Sequence, residues 1–476
     1  MQLTIPLSKK GGPLFRQVYL GLREAVLSGT LQGGEKLPST RDLAEQLGVS
    51  RTVVLLAYDQ LLGEGFAVGR LGSGTYVSTS IRVKPASFPG KSVKMRLSRF
   101  GDAARTARTR VNHPGPGPAL PFNFEYGRSD LEQFPFAMWR RILMRCSRKA
   151  RVSEFDYGAA GGSPALREAI CSHLRRSRAV SCDASQVMIV NGSQQALDLI
   201  ARVLIERGDR VAVEDPNYQG TSEILRAAGA NLLPMELDRD GLDPRKLSLD
   251  ARIAFVTPSH QFPTGAILPL ERRIALLEWA KRANAVIVED DYDGEFRYEG
   301  QPLESLQGLD REGRVIYIGT FSRTMFSALR IGYLIPPKGL VDAFVAAKWL
   351  CDRHTATLEQ ETLAEFISSG IYERYLRRVR RKNAARREAL LDAIRTHLGS
   401  RVEVGGDGAG AHVVLWPRRK IREQDLISKA ASRGVGVYGI SGYCIRKSPR
   451  TAIMLGYSQM NEAQIRAGIR RLAEVL

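Results

Sequence analysis

The sequence predicts an α/β protein with a small helical head, and three observations lead there. From Pro121 onward, apolar runs such as QVMIV, DRVAVEDP, RIAFVTPS, AVIVEDD and RVIYIGT alternate with helical patterns such as SQQALDLIARVLI and ERRIALLEWAKRA. Strands and helices alternating in this way build a largely parallel sheet. Residues 11–78 instead hold dense, short amphipathic patterns. Between the two, residues 79–120 lack sustained apolar periodicity and end in alternating Pro and Gly, the composition of an extended linker. A chain of 476 residues is too long for one ordinary domain, which agrees with this division. The last hundred residues, with GAHVVLWP and RTAIMLGYS set between helices, predict a smaller α+β lobe over about 375–476.

Composition narrows the class. Hydrophobic residues make up 43% and charged ones 25%, so a sizeable core with a soluble surface is expected. No apolar run approaches the roughly 20 residues that a membrane span requires. The opening MQLTIPLSKKGG lacks the apolar core of a signal peptide. The five cysteines are scattered, odd in number and without CxxC spacing, which suits a reducing cytoplasm and argues against a disulfide frame or a zinc site. Net charge is +20 and unevenly placed. Residues 1–78 have eight Lys or Arg against six Asp or Glu, whereas residues 79–120 have nine against Asp102 alone. A polyanionic partner such as nucleic acid is one reading of that excess and a basic surface from a genome's preference for Arg is the other; charge alone does not choose between them.

The head carries the most specific stretch, LPSTRDLAEQLGVSRTVVLLAYDQLLGEGFAVGRLGSGTYV. Pro38-Ser39-Thr40 caps a helix reaching Leu47, Gly48 makes the turn, and Ser50 caps the next helix. Leu43, Leu47, Val49, Val54, Tyr58 and Leu61 form an apolar seam. Arg51 and Thr52 then project from the first turn of the second helix, where a helix-turn-helix reads the major groove. GRLGSGTYV reads as a hairpin. From Leu14 to Val77 the stretch resembles the winged helix-turn-helix of the GntR family. The resemblance implies DNA contacts from Arg41, Ser50, Arg51 and Thr52, with Arg70 and Gly72 in the wing. A few well-placed cations are enough for such contacts.

In the body, IVNGSQQALDLI sets Ser193 and Gln194 at the start of a helix, where free N–H groups and the helix dipole favour a phosphate. Tyr218 follows a strand in EDPNYQG and can stack on a planar ligand. VIVEDDYDGEF ends a buried strand in carboxylates: Asp290 can hold a ring nitrogen protonated, and Tyr292 can bond an adjacent ring oxygen. GTFSRTMFSALRIGY offers Thr320, Ser322 and Arg330 as anion ligands. Their order, together with SHQFPTG at 259–265, resembles the fold-type I aminotransferases that bind pyridoxal 5'-phosphate, over Pro121–Leu476. The resemblance implies a phosphate site of Ser193, Gln194, Thr320, Ser322 and Arg330. It also implies a ring held by Asp290, Tyr292 and Tyr218, and a homodimer in which Tyr157 reaches the phosphate of the neighbouring subunit. Head, linker and body together resemble the MocR/GabR group of bacterial transcription regulators.

One position breaks the enzymatic pattern. Arg323 stands where this fold carries its imine-forming lysine, seven residues before Arg330. A guanidinium stays charged, so it neither attacks an aldehyde nor shuttles the proton that transamination requires. Met454 stands where many aminotransferases bind substrate carboxylate with an arginine, Ser327 replaces a common proline, and Phe262 stands at an asparagine position. The expectation is a cytoplasmic, homodimeric DNA-binding regulator, with no catalytic residue and no metal, whose operator has two half-sites. Its small-molecule effector is pyridoxal 5'-phosphate, pyridoxamine phosphate or an amino-acid adduct, held without a covalent link. The alternatives are an aminotransferase carrying a DNA-binding head and a ligand-independent dimeric repressor.

Overall fold

A computed structural model describes residues 5–8, 11–80, 96–110, 120–152, 156–298, 304–448 and 450–476. The chain forms two compact units, Met1–Arg96 and Leu97–Leu476. Much of the stretch read as linker, residues 81–95 and 111–119, lies outside the described residues.

The first unit contains α1 (Leu14–Leu27), α2 (Thr40–Leu47), α3 (Arg51–Gly63) and a hairpin of β1 (Ala67–Arg70) and β2 (Gly74–Val77). Both turns of the sequence pattern have a visible cause. Ser39 and Ser50 accept hydrogen bonds from the backbone N–H of Asp42 and Val53, capping α2 and α3. Gly48 ends α2 in the left-handed region at φ 66°. Val18, Leu22, Leu43, Val54, Tyr58 and Leu61 form the core, and Leu47 and Val49 pack on its edge half-buried.

The second unit opens with α4 (Arg99–Arg110), a three-turn helix inside the segment whose composition reads as extended linker. Alanines and arginines carry enough helix propensity to form it, and it packs on α8 (Gln219–Ala228). Then come β3 (Phe122–Asn123), α5 (Phe136–Lys149), α6 (Pro164–Arg178), β4 (Met188–Val190), α7 (Ser193–Leu204), β5 (Arg210–Asp215) and, after α8, β6 (Asn231–Asp238) and β7 (Gly241–Leu242). The large lobe continues with β8 (Ile253–Val256), α9 (Leu270–Ala283), β9 (Val286–Asp291), α10 (Leu306–Leu309), β10 (Val315–Thr320), β11 (Gly332–Ile335), α11 (Val341–Asp352) and α12 (Thr357–Ser368). Its eight-stranded sheet runs β4-β11-β10-β9-β8-β5-β6-β7. β10, β9, β8, β5 and β6 are mutually parallel, and β11 is antiparallel to both its neighbours. The central strands IAFV and VIYIGT are buried along their whole length, as strands covered on both faces must be.

The small lobe is built on α13 (Ile371–His397), β12 (Val402–Gly405), β13 (His412–Pro417), α14 (Glu423–Ser432), β14 (Val435–Gly436), β15 (Tyr438–Gly439), β16 (Ile453–Gly456) and α15 (Glu462–Leu472). Its antiparallel sheet runs β12-β13-β16-β15. It also takes in the start of the body. β3 pairs with β14, and Phe124 lies in the small-lobe core, an arrangement that the reading of 375–476 as the small lobe did not contain. The long-range pairing brings the segment after β3 to the mouth of the site described next.

Candidate functional site

The C-terminal ends of the parallel strands are where an open α/β sheet exposes backbone and side chains to a ligand. Here they border a cavity of about 480 Å³ shared with the small lobe. Ser193, Gln194, Tyr218, Asp290, Tyr292, Thr320, Ser322 and Arg330 all line it, so eight of the nine expected ligand contacts come together.

At one end lies an anion cradle. Gly192, at φ 82°, turns the chain from β4 into α7, and a Cβ there would sit 2.9 Å from the Arg330 guanidinium. Arg330 itself adopts φ 53°, and its guanidinium donates to the Asn191 carbonyl at 3.0 Å. No carboxylate pairs with it among the described residues. Ser193 and Gln194 open α7, whose first N–H groups are directed at the same space. The Thr320 hydroxyl donates to Ser322 Oγ at 3.1 Å and accepts from the Ser322 N–H at 3.2 Å.

At the other end Asp290 closes β9. Its Oδ1 is buried and has no hydrogen-bond partner. Burial first, then the neighbouring Asp291, pushes this carboxyl up to about 7, against the pull of the Arg323 charge. A cationic ring N–H is the partner that would satisfy this oxygen and hold the carboxylate ionised. Burial also holds the Tyr292 phenol well above its ordinary range, so it is neutral. Its oxygen lies 3.0 Å from His260 Nδ1, which is 2.9 Å from Asp293 Oδ2. Tyr218, the residue before α8, is fixed by a hydrogen bond from its hydroxyl to Gln194 Oε1 at 3.0 Å. A cradle, an unsatisfied carboxyl and a flat aromatic wall fit a phosphorylated pyridine.

Arg323 faces the middle of this cavity. Its backbone carbonyl accepts from Ser129 Oγ at 2.9 Å, and its guanidinium carbon lies 4.6 Å from the centre of the Tyr126 ring. Gly127, at φ 98°, makes room: a Cβ there would fall 2.4 Å from Arg323 Nη1. Burial works against the charge, but Tyr126, Tyr292 and Asp293 outweigh it and raise the guanidinium further above its ordinary range. It is a permanent cation. Among the described residues no hydrogen bond or ion pair reaches that guanidinium. Met454, Ser327 and Phe262 line the same space.

Tyr157 is not brought to this cavity by its own chain. It is 73% exposed, with the Arg353 guanidinium carbon 4.6 Å from its ring centre, in a separate cleft between α5, α6 and α12. Sequence reasoning missed Tyr126, Arg128, Tyr443 and His260. The first two come from the irregular segment after β3, where no periodicity marks them; Arg128 is held by Glu125 at 3.0 Å. The signal that was available is the tyrosine-glycine-arginine run FEYGRSD at the start of the body.

In the head, Arg41, Arg51 and Thr52 are exposed, and Arg51 Nε donates to Thr40 Oγ1 at 3.2 Å, which ties α3 to the start of α2. Arg70 pairs with Gly74 across the wing and stacks at 4.5 Å over Tyr76, while Gly72 takes φ 72° in the turn.

Residues 14–77 match the family described as bacterial regulatory proteins of the gntR family, and residues 124–472 match aminotransferase class I and II. The chain is 37% identical to the probable rhizopine catabolism regulatory protein MocR of Rhizobium meliloti, over 97% of this chain and 93% of that protein. The chain belongs to the MocR-type GntR regulators. A second relative is the pyridoxine biosynthesis transcriptional regulator PdxR of Corynebacterium glutamicum, 31% identical over 96% of this chain and 94% of its own length. The body of this MocR-type protein superposes on the kynurenine aminotransferase of Pyrococcus horikoshii, crystallised with PMP. The TM-score is 0.70 and the identity 27%, over 82% of this chain and 96% of that one. Among the described residues no helix is long and apolar enough to cross a membrane.

Proposed function

We propose that this MocR-type regulator senses a vitamin B6 phosphate, or its adduct with an amino acid, in the cavity between its lobes, without a covalent link. The observation that carries the reading is the buried, unpartnered Asp290 Oδ1 facing a cavity whose far end holds the uncompensated Arg330. A pyridine phosphate supplies a cationic ring N–H, a phosphate dianion and, in its aldehyde form, an electrophilic carbon. Asp290 binds the ring nitrogen, Tyr292 the ring hydroxyl and Tyr218 the ring face. Arg330, Ser193, Gln194, Thr320 and Ser322 bind the phosphate. A relative named for pyridoxine biosynthesis supports the ligand class.

Transamination is not expected. Arg323 holds its proton and has no lone pair to give an aldehyde, so the pocket binds and orients without the group that the reaction requires. Binding is read out through the lobes: Tyr218 leads into α8, and α4 of the linker segment rests on α8. A ligand that prefers one arrangement of the lobes shifts the linker and, through it, the spacing of two heads in a cytoplasmic homodimer on a two-half-site operator. In that dimer Tyr157 reaches the partner's phosphate. Isothermal titration of the full chain with pyridoxal 5'-phosphate tests the ligand reading: saturable binding in the wild type that Asp290→Ala and Arg330→Ala each weaken supports it. Equal binding by all three proteins contradicts it.

A further inference from the structure

A B6 phosphate placed by the contacts above leaves its 4-substituent, the group that distinguishes one B6 form from another, unassigned. Ring nitrogen at Asp290, 3-hydroxyl at Tyr292 and 5-phosphate arm at Arg330 fix the ring in its plane. The 4-substituent lies between the 3- and 5-positions, on the edge opposite the nitrogen. Arg323 lines the same cavity, next in the chain to Ser322, and its charge acts on both Tyr292 and Tyr218. Its guanidinium carries a full charge and five N–H donors. No described acceptor takes any of them; it rests 4.6 Å from the centre of the Tyr126 ring, and Gly127 leaves it room, since a Cβ there would fall 2.4 Å from Nη1. An unpaired cation directed into a cavity favours an oxygen acceptor and disfavours a second cation.

We propose that Arg323 is the specificity residue of this pocket and selects B6 phosphates whose 4-substituent presents oxygen, against the aminomethyl form. The acceptor is an aldehyde or its hydrate, a hydroxymethyl group or a carboxylate. An ammonium on the 4-carbon sets like charge against like at a site that water screens poorly. Pyridoxal and pyridoxamine phosphates are the aldehyde and amine forms of one cofactor; a sensor with arginine here binds the first in preference to the second. The inference rests on the proposed ligand class and adds a rank order within it.

The test is calorimetric titration of the full-length protein with pyridoxal phosphate, pyridoxine phosphate and pyridoxamine phosphate, using wild type, Arg323→Gln and Arg323→Lys. The wild type is expected to bind the two oxygen forms about tenfold or more tighter than the amine, the ratio that one charge-assisted hydrogen bond, formed with oxygen and opposed by ammonium, would produce. In Arg323→Gln the three affinities should converge to within about threefold, because the phosphate and ring contacts remain. Arg323→Lys should capture the aldehyde covalently with loss of water, a bond that borohydride fixes, which reports that residue 323 lies beside the 4-carbon. Wild type that binds the amine as tightly as the aldehyde overturns the selection while leaving the ligand class intact. Heat from none of the three phosphates overturns both. An Arg323→Gln variant that keeps the wild-type ratio assigns the selectivity to another residue and also sinks the proposal.

Discussion

Asp290 is buried with an unpartnered carboxylate oxygen, at a cost to the fold. Its carboxyl is pushed up to about 7 by burial, and Glu214, Glu289 and Glu295 in the same lobe are pushed up to about 7 for the same first reason. Between the ordinary carboxyl range and pH 7 the folded chain therefore binds more protons than the unfolded one. Stability of the ligand-free protein should fall as pH rises across that window and level off above it. Asp290→Asn removes one such charge, so its ligand-free melting midpoint at pH 8 should rise by about 1–3 °C in a calorimetric scan. The same variant should bind pyridoxal phosphate at least about tenfold more weakly, since a neutral amide is a poor partner for a ring cation. A variant both less stable and equally tight would contradict this reading. Asp290, Tyr292 and Arg323 were legible in the sequence because they stand at or just past the ends of two strands, β9 and β10, that read as buried. Tyr126 and Gly127, which seat Arg323, were not: they reach it only through the pairing of β3 with β14, more than three hundred residues away.

In the head, capping and turn chemistry marked α2 and α3 almost to the residue, because Ser39, Gly48 and Ser50 act on backbone groups beside them. Ser50→Ala should cost about 1 kcal/mol of head stability, read as a lower denaturation midpoint for the first unit. Arg51→Ala should leave that midpoint within error and weaken binding to a selected operator by about tenfold or more, with relaxed discrimination near the base it contacts. Equal affinity for the variant and the wild type would remove α3 from the interface. α4 was only partly legible: MRLSRFGDAARTA reads as able to form a helical turn on binding something, not three turns. Its residues RFGDAARTARTR have propensity but no apolar stripe, and they pack on α8. Gly101, Ala103 and Ala107 are its half-buried positions; they are small enough to admit close approach yet invisible to a hydrophobic pattern.

The chain as a whole joins a gntR-type DNA-binding module to an aminotransferase-like one, and order along the sequence was enough to see both. The shared site that the family resemblance implies through Tyr157 is a matter for two copies. Tyr157 stands exposed beside Arg353, far from any use within its own chain. If two chains complete each other's pockets, a mixed dimer of Tyr157→Ala and Arg330→Ala has one intact pocket and one doubly damaged pocket. Such a dimer should bind pyridoxal phosphate at wild-type affinity with half the stoichiometry, although each variant alone binds weakly. Weak binding by the mixture too would return Tyr157 to a surface role. On the proposed reading the aminotransferase-like body binds its ligand in this cavity without a covalent bond. Borohydride reduction of the full chain saturated with pyridoxal phosphate, followed by peptide mass mapping, tests it most directly. We expect saturable occupancy of one ligand per chain before reduction and no pyridoxyl group on any peptide lining the cavity afterwards. A reduced adduct fixed stoichiometrically to a residue of that cavity would contradict the account.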